Sequence, residues 1–200
     1  PRSEPTASGD QPNLSLVHLI DAPVYVFRAW VTLPPMPAPD GTPTGAAYGY
    51  ANTLLRFLRE REPTHVAACF DHAIRSFRNT LFPAYKSSRG DEVPADLAPQ
   101  FAFCMDVSRA LGIATYEAPN YEADDVIATL AERAAKAGLH AEIVSADKDL
   151  TQLVREDGSA RFHDLSKNVT LDADGVRAKF GVAPAQIPDY LALLGDKVDD

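Results

Sequence analysis

Cysteine is nearly missing from this 200-residue chain: Cys69 and Cys104 stand far apart and form no Cys-x-x-Cys pair. That excludes a disulfide framework and a cysteine zinc set, and a reducing cytoplasm is the expected setting. The five histidines, at 18, 65, 72, 140 and 163, never fall into the His-Glu-x-x-His pattern of a helical zinc site. No run of ~18 apolar residues occurs, so no membrane span is expected. No basic, then apolar, then small-residue leader opens the chain, so no secretion signal is expected. Cations are also in short supply, with 19 Lys and Arg against 28 Asp and Glu for a net charge of −9. A protein that coats phosphates by bulk charge is thereby disfavoured, whereas a nucleic-acid enzyme whose acids hold metal ions is not.

What is present is ordinary globular material. Apolar residues make up 46% and charged residues 24%, and the length suits one domain. Residues 1–13 carry Pro, Ser, Gly and charge without periodicity, and are expected to be a disordered tail ahead of a domain spanning 14–200. Short apolar runs at 16–20, 66–70 and 142–144 read as buried strands. Amphipathic patterns at 46–60, 101–111 and 122–137 read as helices, the last two followed by Gly112 and Gly138 where C-caps belong. Alternating strands and helices predict an α/β fold, with a central, mostly parallel sheet flanked by helices. Residues 160–165 and 168–171 read as a hairpin turning at Ser166 and Lys167, and 174–180 and 184–194 as short helices. Residues 75–100 form a long, polar, proline-punctuated stretch, of a length that usually serves function.

Each apolar run leads into an aspartate: Asp21, Asp71 and Asp147. In a parallel sheet the carboxyl ends of the strands lie along one edge, where ligands bind. A turn or a helix N-cap would equally account for any one of these residues alone. More acids follow. Tyr121-Glu122-Ala123-Asp124-Asp125 opens a helix, with Glu122 and Asp125 on one face and Asp124 pointing elsewhere. Asp149 comes just after Asp147, and Asp196, Asp199 and Asp200 crowd a helix C-terminus, the unfavourable end of its dipole. So many carboxylates on one edge cannot all ionise without counter-charge. Hard divalent cations suit oxygen ligands, and two of them ~4 Å apart can activate water and stabilise the leaving oxygen of a phosphodiester. Zinc is disfavoured because no Cys or His joins the pattern.

Residues 75–89 invert the overall balance. Arg75, Arg78, Lys86 and Arg89 come with no acid between them and are interleaved with Phe77, Phe82 and Tyr85. Such a segment suits a phosphate backbone and unstacked bases; a solvated loop with snorkelling cations is the alternative. Arg28, after the first strand, is a further phosphate candidate or simply a helix-surface residue. His72 reads as a turn residue, and Tyr25 and Trp30 as core.

These stretches, in this order, resemble the 5′-nuclease domain found at the front of bacterial DNA polymerase I and in stand-alone bacterial flap endonucleases. The matching residues are Leu19-Ile20-Asp21 with Tyr25 through Arg28, Pro43 through Gly49, Pro63 through Asp71, Ser76 through Arg78, and Tyr85 through Arg89. Tyr121 through Val126, Ala146 through Leu150 with Gln152 and Leu153, and Leu194 through Asp199 complete them, so the resemblance runs over residues 15–200. It implies a PIN-like fold with a helical arch over residues 76–105, through or beneath which a single-stranded 5′ end passes. The metal ligands would be Asp21, Asp71, Glu122, Asp124, Asp125, Asp147, Asp149, Asp196 and Asp199. They would hold two or more Mg²⁺ ions, with Mn²⁺ able to substitute. Lys86, Arg78 and Asp147 would be catalytic, with Lys86 approaching the scissile phosphate. Tyr85 would stack on a base, and Arg28, Arg75, Arg78, Lys86 and Arg89 would contact DNA.

The implied activity is 5′-to-3′ exonuclease and flap endonuclease cleavage in DNA replication and repair. It would act on DNA with a 5′ flap or 5′ end, as a monomer in the cytoplasm. Ala22-Pro23 stands where the family usually has Gly after the first Asp, and Asp200 where it has Asn. The chain is expected to be truncated before the helix–hairpin–helix that grips duplex DNA, so K⁺ is expected only where that element is present. Two other readings compete: a PIN-like metal-dependent RNase, which would not need the 75–105 insertion, and a catalytically inactive DNA-binding fragment.

Overall fold

The structure is a computed structural model that describes residues 16–86 and 93–195. The expected tail at 1–13 lies outside these residues, as do Arg89, Asp196, Asp199 and Asp200. Strand β1 (Leu16–Asp21) passes directly into helix α1 (Ala22–Thr32), and α2 (Gly45–Arg61) leads to β2 (His65–Cys69). A short helix α3 (Phe77–Leu81), α4 (Ala98–Ala110) and a three-residue strand β3 (Ala114–Tyr116) come next. Then follow α5 (Ala123–Lys136), β4 (His140–Val144), a 3₁₀ turn at Lys148–Leu153, β5 (Ala160–Asp164) and β6 (Val169–Leu171). Helix α6 (Ala173–Phe180), a 3₁₀ turn at Pro184–Gln186 and α7 (Ile187–Leu194) close the described chain.

The sheet order is β3-β2-β1-β4-β5-β6, parallel throughout except for the antiparallel β6. Its central strands are buried on both faces, which is why they read as unbroken apolar runs. Alternate residues go to opposite cores. Leu19, Cys69, Ile143 and Phe162 join α5 and α6 on one face; Ile20, Phe70 and Val144 join α1, α2 and α4 on the other. The second core is specific in detail. Buried Gln100 on α4 accepts hydrogen bonds at 2.7 and 3.2 Å from the N–H groups of Ala46 and Ala47, which open α2 and have no partner within the helix. Gly49 lets α1 and α2 touch, since a Cβ there would meet the Ala29 methyl at 2.6 Å. Gly112 and Gly138 end α4 and α5 with φ of 76° and 75°, as their C-cap positions require.

The expected strands and helices are present, and α1, α3, β3 and the 3₁₀ turn at Lys148–Leu153 come in addition. Helix α1 was hidden by the β-branched Val24, Val26, Val31 and Thr32, which favour strand. Burial of Tyr25, Val26 and Ala29 against the second core overrides that preference, and Pro23 fits the first turn. Strand β3 is a short edge strand that pairs only with β2. Of the stretch expected as an arch, residues 98–105 are the first part of α4, anchored by buried Gln100 and Cys104. Cys69 and Cys104 are both buried free thiols.

Candidate active site

The carboxyl ends of β1, β2 and β4 deliver Asp21, Asp71 and Asp147 to one edge of the sheet, where the first turn of α5 adds its acids. Asp21 is 3% exposed. Its Oδ2 accepts a 2.6 Å hydrogen bond from the Ser145 hydroxyl, which in turn accepts at 2.9 Å from the N–H of Asp147. Asp147 then caps the following 3₁₀ turn by accepting from the N–H of Asp149 at 2.9 Å. Ser145, fully buried at the end of β4, ties two of the acids together. The sequence carries no sign of its role beyond its place just before Ala146 and Asp147. Asp71 accepts from the N–H of Ala123 at 2.7 Å and so anchors the start of α5 to β2.

The acids of α5 divide as helical counting predicts. Glu122 is the N-cap, and a capping box joins it to Asp125, whose Oδ2 accepts from the Glu122 N–H at 3.0 Å. Arg78 reaches both, in a two-pronged pair with Asp125 at 2.7 Å and at 3.7 Å from Glu122. Asp124 points elsewhere, as expected, and is the acid of this helix that lies electrostatically nearest Asp147 and Asp21. Glu122 is engaged from the basic segment. Lys86 donates to its Oε2 at 2.9 Å and Tyr85 at 3.3 Å, and the buried Ser76 hydroxyl donates to Oε1 at 2.8 Å. Lys86 sits at φ 53°, a left-handed conformation rare for a side-chain-bearing residue and frequent at functional sites.

The expected ligand set therefore divides by charge environment. Burial raises the pKa of Glu122 and of Asp125, but Lys86 and Ser76 for the first and Arg78 for the second outweigh it, and both stay below the ordinary range. Asp21 goes the other way. Burial, and then the charges of Asp124, Asp71 and Asp147, hold it well above the usual carboxylate range despite the Ser145 bond. Asp124 is pushed up to about 7 by burial and by Asp147, with Asp71 and Glu122 adding to this against Lys86. Among the described residues, no group of three or more His, Cys, Asp or Glu side chains is arranged to hold an ion. Their chemistry nevertheless fits a hard divalent cation: the donors are carboxylate oxygens, and burial and neighbouring acids raise the pKa of two of them.

The phosphate candidates are spread more widely. Arg78, Tyr85 and Lys86 stand at the carboxylates, and Arg75 is exposed just before α3. Arg28 does not reach this cluster; it lies on α1 and bonds the Ser166 hydroxyl in the β5–β6 turn. Tyr25 is buried as expected, while Trp30 is half-buried and donates to Asp96 at 2.9 Å.

A mostly parallel sheet with acids along its carboxyl edge and cations facing them defines a PIN-like fold. The chain belongs to the family of the 5′-3′ exonuclease N-terminal resolvase-like domain, whose model matches residues 16–181. A DNA polymerase I of Rhizobium leguminosarum is 38% identical over 190 residues, which cover 91% of this chain and 18% of that protein. A 5′-3′ exonuclease of Aquifex aeolicus is 36% identical over 187 residues, covering 94% of this chain and 64% of that protein. The chain thus spans under a fifth of the polymerase and less than two thirds of the exonuclease. Among solved structures, the T5 D15 flap endonuclease in a pseudo-enzyme-product complex with DNA and metal ions superposes with a TM-score of 0.69 at 17% identity. That match covers 92% of this chain and 68% of the other, and at this identity it speaks for the fold.

Proposed function

We propose that this chain is the catalytic part of a divalent-metal-dependent 5′-nuclease that hydrolyses DNA phosphodiesters at 5′ ends and 5′ flaps in replication and repair. The observation that carries the reading is the buried Asp21 and the half-buried Asp124 close to Asp71 and Asp147, neither of the first two in an ion pair among the described residues. Asp21, Asp71, Glu122, Asp124, Asp125, Asp147 and Asp149 are the described residues that would hold Mg²⁺, directly or through water, together with Asp196 and Asp199. Mn²⁺ would substitute, and K⁺ belongs to the reading only where a helix–hairpin–helix follows. When bound, such ions supply an activated water and stabilise the leaving oxygen.

The chain's own residues do the rest. Lys86 and Arg78 rest on Glu122 and Asp125, and a DNA phosphate entering the site would offer each an alternative anion. Tyr85, against which Lys86 lies 5.0 Å from the ring centroid, offers a face for an unpaired base. Arg75 and Arg89 extend the positive segment along the backbone. Ser145 keeps Asp21 and Asp147 in register. A cytoplasmic monomer agrees with the two free buried thiols, and among the described residues no helix is long and apolar enough to cross a membrane.

The test is a 5′-labelled flap DNA incubated with Mg²⁺, with EDTA, and with an Asp147→Asn variant. Short 5′ products that require both Mg²⁺ and Asp147 are the expected result; full cutting by the variant would sink the mechanism. Cleavage of an RNA counterpart in place of the DNA would favour the RNase reading.

A further inference from the structure

A second positive site lies away from the carboxylates. α1, α2 and the β5–β6 turn enclose a cleft of about 310 Å³, lined by Tyr25, Arg28, Asn52, Thr53, Arg56 and Ser166. Its volume is at the lower end for ligand sites, enough for a phosphate and part of its sugar. Arg28 and Arg56 both face it, and neither forms an ion pair among the described residues. Asp164 beside it is already bound by Lys167 at 3.2 Å and by the N–H of Ser166 at 2.8 Å, so it does not neutralise them. Tyr25 is 3% exposed, and its hydroxyl lies beside the Leu165 backbone without completing a well-formed hydrogen bond. Burial and the charges of Asp21 and Asp164 push that phenol's ionisation upward, so it remains an O–H donor. In a chain of net charge −9, two guanidinium groups that form no ion pair among the described residues, Arg28 bonded only to the Ser166 hydroxyl, together with amide and hydroxyl donors around one cleft are an anion-binding set.

We infer that this cleft is a separate phosphate-binding pocket, gripping a backbone phosphate of the bound DNA between Arg28 and Arg56. The inference rests on the DNA-nuclease reading above and adds a contact on α2 to it. The placement suits a strand that also reaches the carboxylates. Arg28 is seven residues beyond Asp21 along one helix, about 10 Å of rise, which is roughly three nucleotides at ~3.4 Å each.

The experiment measures DNA affinity of the whole chain in EDTA, where nothing is cut, across a series of salt concentrations. Arg56→Gln weakens binding about tenfold and lowers the slope of log affinity against log salt by about one. Arg56→Glu weakens it further, and Lys136→Gln, at the far end of α5, leaves both unchanged. Unaltered affinity and slope in the Arg56 variants overturn the inference. A parallel arm follows thermal protection by inorganic phosphate: protection lost in Arg56→Gln while DNA affinity stays the same means that the pocket takes free anions only, which also overturns it. Cutting in Mg²⁺ is read separately. Arg56-dependent DNA binding without any cutting retains the pocket and sinks the nuclease reading.

Discussion

Glu142 and Asp21 are both buried acids met along β1, one beside His18 and the other three residues further on, about 10 Å away. Their surroundings differ in sign. Glu142 is fully buried and receives Arg61 at 2.6 and 2.8 Å, Arg161 at 2.8 Å, and His18 at 3.4 Å. Burial raises its pKa, but Arg161, Arg61 and His18 outweigh it and hold it below the ordinary range. Asp21 has one neutral donor, Ser145, and three acidic neighbours, and is held well above that range. The desolvation penalty is common to both, and the counter-charge decides the outcome. A compensated cluster is complete within the fold. An uncompensated one is what the proposed metal ions would complete.

Asp21→Asn tests the contrast most strongly, because it keeps the acceptor for Ser145 while removing the charge. Metal-dependent cutting should fall about a thousandfold, or ~4 kcal/mol of barrier, measured on the labelled flap under single turnover. Next in size, Glu142→Gln should destabilise the protein by about 3 kcal/mol in urea unfolding, because it breaks a buried ion cluster. Asp21→Asn in EDTA should instead stabilise it, since it removes a buried charge that Asp124, Asp71 and Asp147 oppose. If both variants shift stability in the same direction, the contrast fails. Ser145→Ala should cost about 1–2 kcal/mol, leaving a buried acid without its donor, and should weaken Mg²⁺ protection against heating.

The smallest effect is in pH. The fold favours the protonated forms of Asp21 and Asp124. Their contribution to stability is therefore full below the unfolded carboxylate range near pH 4 and is lost as pH rises, through about 7 for Asp124 and through the raised pKa of Asp21. His18 and His163, lowered chiefly by burial, act oppositely and lose stability as pH falls below 6.5. In EDTA the melting temperature should accordingly decline between pH 6.5 and 8, and the decline should shrink in Asp21→Asn. A flat profile in both proteins would remove the electrostatic argument.

The strands and the larger helices were legible because their residues alternate or repeat at fixed periods. Leu19 and Ile20, or Ile143 and Val144, already declare two cores. Asp21, Asp71 and Asp147 were legible as an edge because parallel strands must end together. So was the division of the α5 acids, Glu122 with Asp125 and Asp124 apart, because it follows from helical spacing. That Arg78 and Lys86 answer the first two was not, since it depends on how the basic segment packs against the helix. Ser145 and Ser76 were invisible for a related reason: a serine hydroxyl has no sequence pattern until folding sets it against a carboxylate. Arg56 drew no notice as one of several arginines on α2, and only the approach of α1 and the β5–β6 turn makes its environment distinctive.

By itself, then, the sequence determined the layered α/β fold, the edge on which the acids gather and the positive stretch that faces them. All three follow from local periodicity and from the geometry of parallel strands. Only the tertiary structure decided which acids are answered by cations and which are left repelling one another. Ion pairing depends on separations of a few ångströms between residues far apart in the chain, and those distances exist only once the sheet has closed.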